Sequence, residues 1–276
     1  MMDNILPNSD FSYDPVTAIN EDEAKGRTAE IFLDIRKTMN ISLITSIWRG
    51  LASMDNSLEE VWALTKPIYL SGTPELALKN MINTINIPTP AFNNNFKDIK
   101  KSDLSHIKNI ITVYNKSNGM NLMALSALVM SEYKPRIAII NTPLKIMEST
   151  FPELMKKDDI TSESWLIVKK VNSLGSPQGE DAHIATLWRH LAHWPHFLSI
   201  IYNHFKILDL NGDINTVQKN VLEHVKTKGI NLKRQKIKYE EIDSFTLNTI
   251  TDYVHTTNQV IRMVVLGHMM IKWIEQ

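Results

Sequence analysis

The chain has 276 residues, with 30 basic against 30 acidic side chains, 43% apolar and 22% charged residues, and no cysteine. The balanced charge leaves no field to draw in nucleic acid or a membrane surface, and the missing cysteine excludes disulfides, thiolate metal sites and cysteine nucleophiles. With only 9 glycines for tight turns, sandwiches, barrels and dinucleotide folds are disfavoured, and an all-α protein is expected.

Met1 to Ser12 carries Asp3 and Asp10 where an export signal would place Lys or Arg before an apolar core, so a cytoplasmic protein is expected. After an N-terminal segment, residues 1–20, amphipathic stretches run from Glu21 to Lys37 and from Leu43 to Ser53. Ser57 with Glu60 forms a capping box that opens a helix over 57–66, closed or kinked by Pro67. Thr73 before Pro74 opens another over 73–86, and a long one is expected from Ser102 to Val129. Lys134 to Pro152 holds Pro135, Pro143 and Pro152 among β-branched residues and reads as an extended connector. Further helical stretches are Ser162 to Val171, Ala182 to His193, Phe197 to Ile207, Ile214 to Thr227 and Glu241 to Ile274. The most apolar part, Val260 to Trp273, includes Arg262, His268 and Lys272 and is too short to span a hydrocarbon core of about 30 Å, so it reads as a buried helix.

The chain also repeats itself. Trp48-Arg49-Gly50-Leu51-Ala52 returns as Trp188-Arg189-His190-Leu191-Ala192, an offset of 140 residues. At the same offset Leu58 meets Leu198, Gly72 meets Gly212, Asp103 meets Asp243, Asn118 meets Asn258 and Met130 meets Met270. A register held for about 80 residues implies a tandem duplication, with helical repeats at 21–133 and 153–276 joined by the connector at 134–152. Two such copies pack most simply about a pseudo-two-fold axis, as an isologous homodimer would, with any pocket near that axis.

In the Trp-Arg-x-Leu-Ala segment, two readings stand. Either Trp48 and Trp188 fill the core while Arg49 and Arg189 pair locally, or Arg189 faces the axial pocket and grips a carboxylate ligand by a bidentate pair. Of nine histidines only His106 precedes residue 180, and His190, His193 and His196 are spaced by three, but Pro195 interrupts the helix that would stack them for a metal. Glu180 and His183 have the Glu-x-x-His spacing of di-iron bundles, yet the equivalent positions are Asn40 and Leu43, so no metal or other cofactor is expected. The basic run Lys226, Lys228, Lys233, Arg234, Lys236 and Lys238 has almost no interleaved aromatic residue and reads as a solvated loop, not a nucleic-acid surface. Asn118 and Asn258, in apolar helices, form a symmetric pair that either ties helices together or places polar tips in the pocket.

The duplicated unit, the segment Ala29-Glu30-Ile31-Phe32-Leu33-Asp34-Ile35-Arg36 leading into Ser46-Ile47-Trp48-Arg49, and Thr186-Leu187-Trp188-Arg189-His190-Leu191-Ala192-His193-Trp194-Pro195 together resemble the group I, DehI-type 2-haloacid dehalogenases. The resemblance covers nearly the whole chain from about Glu21 and implies an all-helical pseudo-dimer with its site between the repeats. It also implies that one Asp activates a water which displaces halide from C2 of a short haloacid, without a covalent ester or cofactor. Asn118 matches the family's pocket asparagine, but Leu187, preceded by Thr186, stands where the Asp is expected. Leucine cannot deprotonate water; on a helix continued towards the N-terminus Glu180 lies on nearly the same face, but about 10 Å lower.

The expected site is therefore Thr186, Asn118 and Glu180 for chemistry, with Trp48, Arg49, Leu187, Trp188, Arg189, His190 and Asn258 around a small carboxylic acid. The expected assembly is a monomer or weak homodimer. Two functions follow: a dehalogenase-like hydrolase with a relocated base, or a non-catalytic binder of a small carboxylate. A purely structural protein is expected instead if Trp48, Trp188 and Leu187 fill the pocket.

Overall fold

The computed structural model describes residues 18–91, 96–129, 151–230 and 242–276. Within them the chain forms helices and no strand: α1 (Gly26–Met39), α2 (Ser46–Leu51), α3 (Ser57–Leu70), α4 (Thr73–Thr84), α5 (Lys101–Val129), α6 (Ser162–Ser173), α7 (Thr186–Leu191), α8 (Pro195–Leu210), α9 (Asp213–Lys228), α10 (Ser244–His255) and α11 (Val260–Ile274). None of these helices is long and apolar enough to cross a membrane. The expectations for Met1 to Ser12, for nearly all of the connector and for Lys233 to Lys238 lie outside the described residues.

Helix ends differ from expectation where a tertiary partner outbids a local one. Ser57 is not a cap: Asn56 precedes α3, and the Ser57 hydroxyl lies 2.7 Å from Thr246 Oγ1, tying α3 to α10. The helix also continues through Pro67 to Leu70, because Ile68 and Tyr69 bury their side chains and hold the last turn in the core despite the missing proline N–H. Gly72 and Gly212, with φ of 71° and 79°, set the left-handed residue before α4 and α9, so Thr73 is the first residue of its helix and not its cap. Ala182 to His193 is not one helix; a short 3-10 turn at Gly179–Asp181 precedes α7. Glu241 to Ile274 is likewise two helices, α10 and α11, with Asn258 in the break between them and not inside a helix.

At the centre α5 lies along α11, closely enough that a Cβ on Gly267 would collide with the Asn115 side chain. The remaining packing comes in matched pairs: α4 covers α5 as α9 covers α11, and α1 packs on α3 as α6 packs on α8. The short helices cross over, with α7 against α5 and α2 against α10. Trp48 of α2 and Trp188 of α7 are wholly buried at these crossings. These crossings bring α5, the α10–α11 break and the start of α7 to one place.

Candidate functional site

At that place lies a cavity of about 500 Å³, within the range that holds small-molecule ligands. Asn118 enters its wall from α5 and Asn258 from the α10–α11 break, while Thr186 and Leu187 come from the first turn of α7. The approach to α7 is fixed by Asn172 of α6, which is fully buried. Its Nδ2 donates to the carbonyls of Ala182 (3.0 Å) and His183 (3.1 Å), and its Oδ1 accepts from the Ala185 N–H (3.1 Å). One side chain thereby sets the backbone that presents Thr186.

A second polar hub, Asn121 on α5, braces the wall from the first half. Its Oδ1 accepts from Trp48 Nε1 (3.2 Å) and from the Tyr69 hydroxyl (2.9 Å), and its Nδ2 donates to Thr45 Oγ1 (2.9 Å). Asn121 also bonds Tyr253, which lines the cavity with Thr45. Burial pushes both tyrosine hydroxyls above their ordinary range, so they stay protonated and serve as neutral donors.

On the α7 side, the Tyr114 hydroxyl lies 2.7 Å from His190 Nδ1. The Pro152 carbonyl is a further acceptor beside the ring. Burial, with the neighbouring His193 and Arg189, pushes the His190 pKa down to about 4, which keeps the ring neutral near pH 7.

Arg262, in the first turn of α11, is 3% exposed and lines the central cavity. One of its terminal nitrogens donates to the Asn172 carbonyl, but its Nε–H is buried without a hydrogen-bond partner. Burial pushes its pKa down to about 10, opposed by the charge of Asp209. Among the described lining residues there is no Asp or Glu, and Arg262 is the one permanently charged side chain.

The structure thus gathers Asn118, Asn258, Thr186 and Leu187 around one cavity and distributes the other expected residues elsewhere. Trp48 and Trp188 are wholly buried core and do not line it. Arg49, Arg189 and His190 line a neighbouring cavity of about 350 Å³ that shares Thr186 and Tyr114 with the central one. Both arginines clamp backbone: Arg49 Nε donates to the Ile19 carbonyl and Arg189 Nε to the Met155 carbonyl, each at 3.2 Å. Glu180 lies apart, half-exposed and 3.7 Å from Lys169 Nζ. Helical spacing from residue 187 does not reach it, because α7 starts only at Thr186 and residues 179–181 form a separate 3-10 turn.

Sequence reasoning passed over Arg262, Tyr114 and Asn172. One signal was present for Arg262, a charge inside the most apolar stretch where the equivalent position of the first half is Leu122. Among the described residues no group of three His, Asp or Glu side chains is placed to hold a metal ion.

No protein-family model and no curated protein sequence matches the chain. Its three-dimensional structure does have counterparts. A D-2-haloacid dehalogenase mutant superposes with a TM-score of 0.70 at 11% identity, covering 93% of this chain and 95% of that one. D-2-haloacid dehalogenase with L-LA gives 0.69 at 11% identity with the same coverage, and the mutant with D-2-CPA gives 0.67 at 10%, covering 91% and 94%. The chain therefore has the all-helical fold of D-2-haloacid dehalogenase over nearly its whole length.

Proposed function

We propose that residues 21–133 and 153–276 are two copies of one helical unit, and that the cavity between them binds a short 2-substituted carboxylic acid without displacing halide by an Asp-activated water. The duplication is supported by helix bounds at the sequence offset: α7 repeats α2 at both ends, and α9 starts 140 residues after α4. Reciprocal crossing of α2 onto α10 and α7 onto α5 is the contact pattern of an isologous pair. The carboxylate-binding reading is supported by the fold shared with D-2-haloacid dehalogenase, one of whose structures holds D-2-CPA.

The observation that carries the loss of turnover is the cavity wall itself, which has Leu187 and no carboxylate among its described residues. General-base assistance contributes a factor of roughly 10² to 10⁴. Chloride release from 2-chloropropionate is therefore expected at background from about pH 7 to pH 10, together with thermal stabilisation by the same acid. Rapid chloride release by the native protein sinks this reading.

One arrangement favours hydrolysis as a second reading. Tyr114 on the cavity wall is hydrogen-bonded to neutral His190, and in the tautomer with Nδ1 unprotonated a proton leaving water has a path through the hydroxyl to Nδ1. Under this reading chloride release is above background in the native protein and disappears in both Tyr114→Phe and His190→Gln.

A further inference from the structure

We propose that Arg262, together with the first turn of α11, is the anchor for the carboxylate group in the central cavity. This rests on the reading of that cavity as a carboxylic-acid site and assigns the residue that selects the acid's charge.

Four observations converge on it. First, Arg262 is a cation 3% exposed with a buried Nε–H that has no partner, a costly arrangement unless an acceptor arrives. Second, its electrostatic neighbour Asp209 forms no ion pair with it within 4 Å among the described residues; Asp209 Oδ1 instead accepts the Gly175 N–H at 3.1 Å. The positive charge is left largely uncompensated beside a cavity wall with no Asp or Glu among its described residues.

Third, α11 is 15 residues long and its N-terminus opens on the same cavity, through Asn258, Gln259 and Val260. No side chain caps it, so the backbone N–H groups of its first turn are left for an outside acceptor. Fourth, the feature belongs to the second half alone. The equivalent stretch of the first half is the uninterrupted interior of α5, with Leu122 at the position of Arg262. Breaking the helix after His255 converts bonded mid-helix N–H groups into donors, and the arginine stands three residues into the new helix.

Carboxylate fits this set better than a neutral ligand, because a guanidinium and helix N–H groups both donate and neither accepts. The acid's carbon chain would then lie against Leu187 and Met263, which line the remaining wall.

The test is a calorimetric titration of the native full-length protein with 2-chloropropionate, propionate and the neutral isostere propionamide at matched ionic strength, repeated with Arg262→Met and Arg262→Lys. Saturable binding of both acids, with propionamide at least roughly tenfold weaker, is expected. Arg262→Met should weaken the acids by roughly 10- to 100-fold and leave propionamide unchanged, with Arg262→Lys in between. Arg262→Met should fold, since it removes the desolvation cost of a buried cation without an ion-pair partner and loses one hydrogen bond, to the Asn172 carbonyl. Should it not, Arg262→Lys and the acid-to-amide ratio still decide. Acid affinities that survive Arg262→Met within threefold, or equal affinity for propionate and propionamide, overturn the anchor while leaving the cavity as the site. Failure of the native protein to bind either acid overturns the carboxylic-acid reading, and the anchor falls with it.

Discussion

In the first half of the molecule the central helix α5 runs unbroken from Lys101 to Val129, and in the second half the same stretch is two helices separated at residues 256–259. The two tryptophans differ in the same direction. Trp48 Nε1 donates to Asn121, whereas Trp188 Nε1 is buried without a partner, because Ile261 occupies the position equivalent to Asn121. In the first half Asn121 gathers these polar groups and acts as the brace, although Asn115 Oδ1 and Ser126 Oγ are buried there without a partner. The second half has a backbone break and the unpaired Nε–H of Arg262 at the cavity, and an unpartnered indole in the core. What separates the halves at the cavity is therefore the break and the arginine, both of which the first half lacks.

The sharpest way to break this comparison is at the brace. Asn121→Leu removes the acceptor of the Trp48 indole N–H and of the Tyr69 hydroxyl and one of the two partners of Thr45, and should cost about 4 kcal/mol or more in urea unfolding. Its counterpart Ile261→Leu, which removes no hydrogen bond, should cost less than about 1.5 kcal/mol. Comparable losses at both positions would show that Asn121 is no brace.

His190 stands where the first half has Gly50, and it gives the second half a pH dependence. Below the ordinary histidine pKa of about 6.5 the unfolded chain takes up a proton that the folded ring refuses until about pH 4. Stability should therefore fall as pH drops through that window, by about 3 kcal/mol from this residue at about 1.4 kcal/mol for each pH unit. Denaturation midpoints for the native chain and His190→Gln between pH 7 and pH 4 should converge as pH falls. Parallel curves would remove His190 as the source.

The α5–α11 contact offers a smaller effect. Gly267→Ala places a methyl 1.8 Å from Asn115 Oδ1, so that side chain must move, at about 2 kcal/mol. The equivalent residue of the first half is Ala127, and Ala127→Gly should cost about 1 kcal/mol, the ordinary helix penalty. Smaller still is the difference between the caps of α6 and α1. Thr161 accepts the Ser164 N–H at 3.2 Å, while Lys25 gives α1 no side-chain cap. Thr161→Ala should lower stability by about 1 kcal/mol, and Lys25→Thr should raise it by up to that amount, read from thermal midpoints.

Local chemistry by itself determined much of this protein. Apolar residues at helical spacing, with Gly and Pro between them, placed most of the helices within a few residues, since each helix must bury one stripe whatever its neighbours are. The 140-residue register was visible because core positions constrain residue size at every turn. Asn118, Asn258, Thr186 and Leu187 could be proposed for one site on that basis, and the fold brings them to one cavity.

What tertiary structure alone decided was which polar groups find partners. Periodicity cannot show that Ser57 turns from its own helix end to Thr246, or that Arg49 and Arg189 are consumed by carbonyls at Ile19 and Met155. Nor can it show that the apolar stretch from Glu241 to Ile274 breaks at Asn258, since nothing in the residues 256–259 is a proline or glycine. Arg262 comes to the cavity wall beside α6, where it donates to the Asn172 carbonyl. The donors that stay unpaired are set by distances between segments far apart in the chain, which no local pattern encodes.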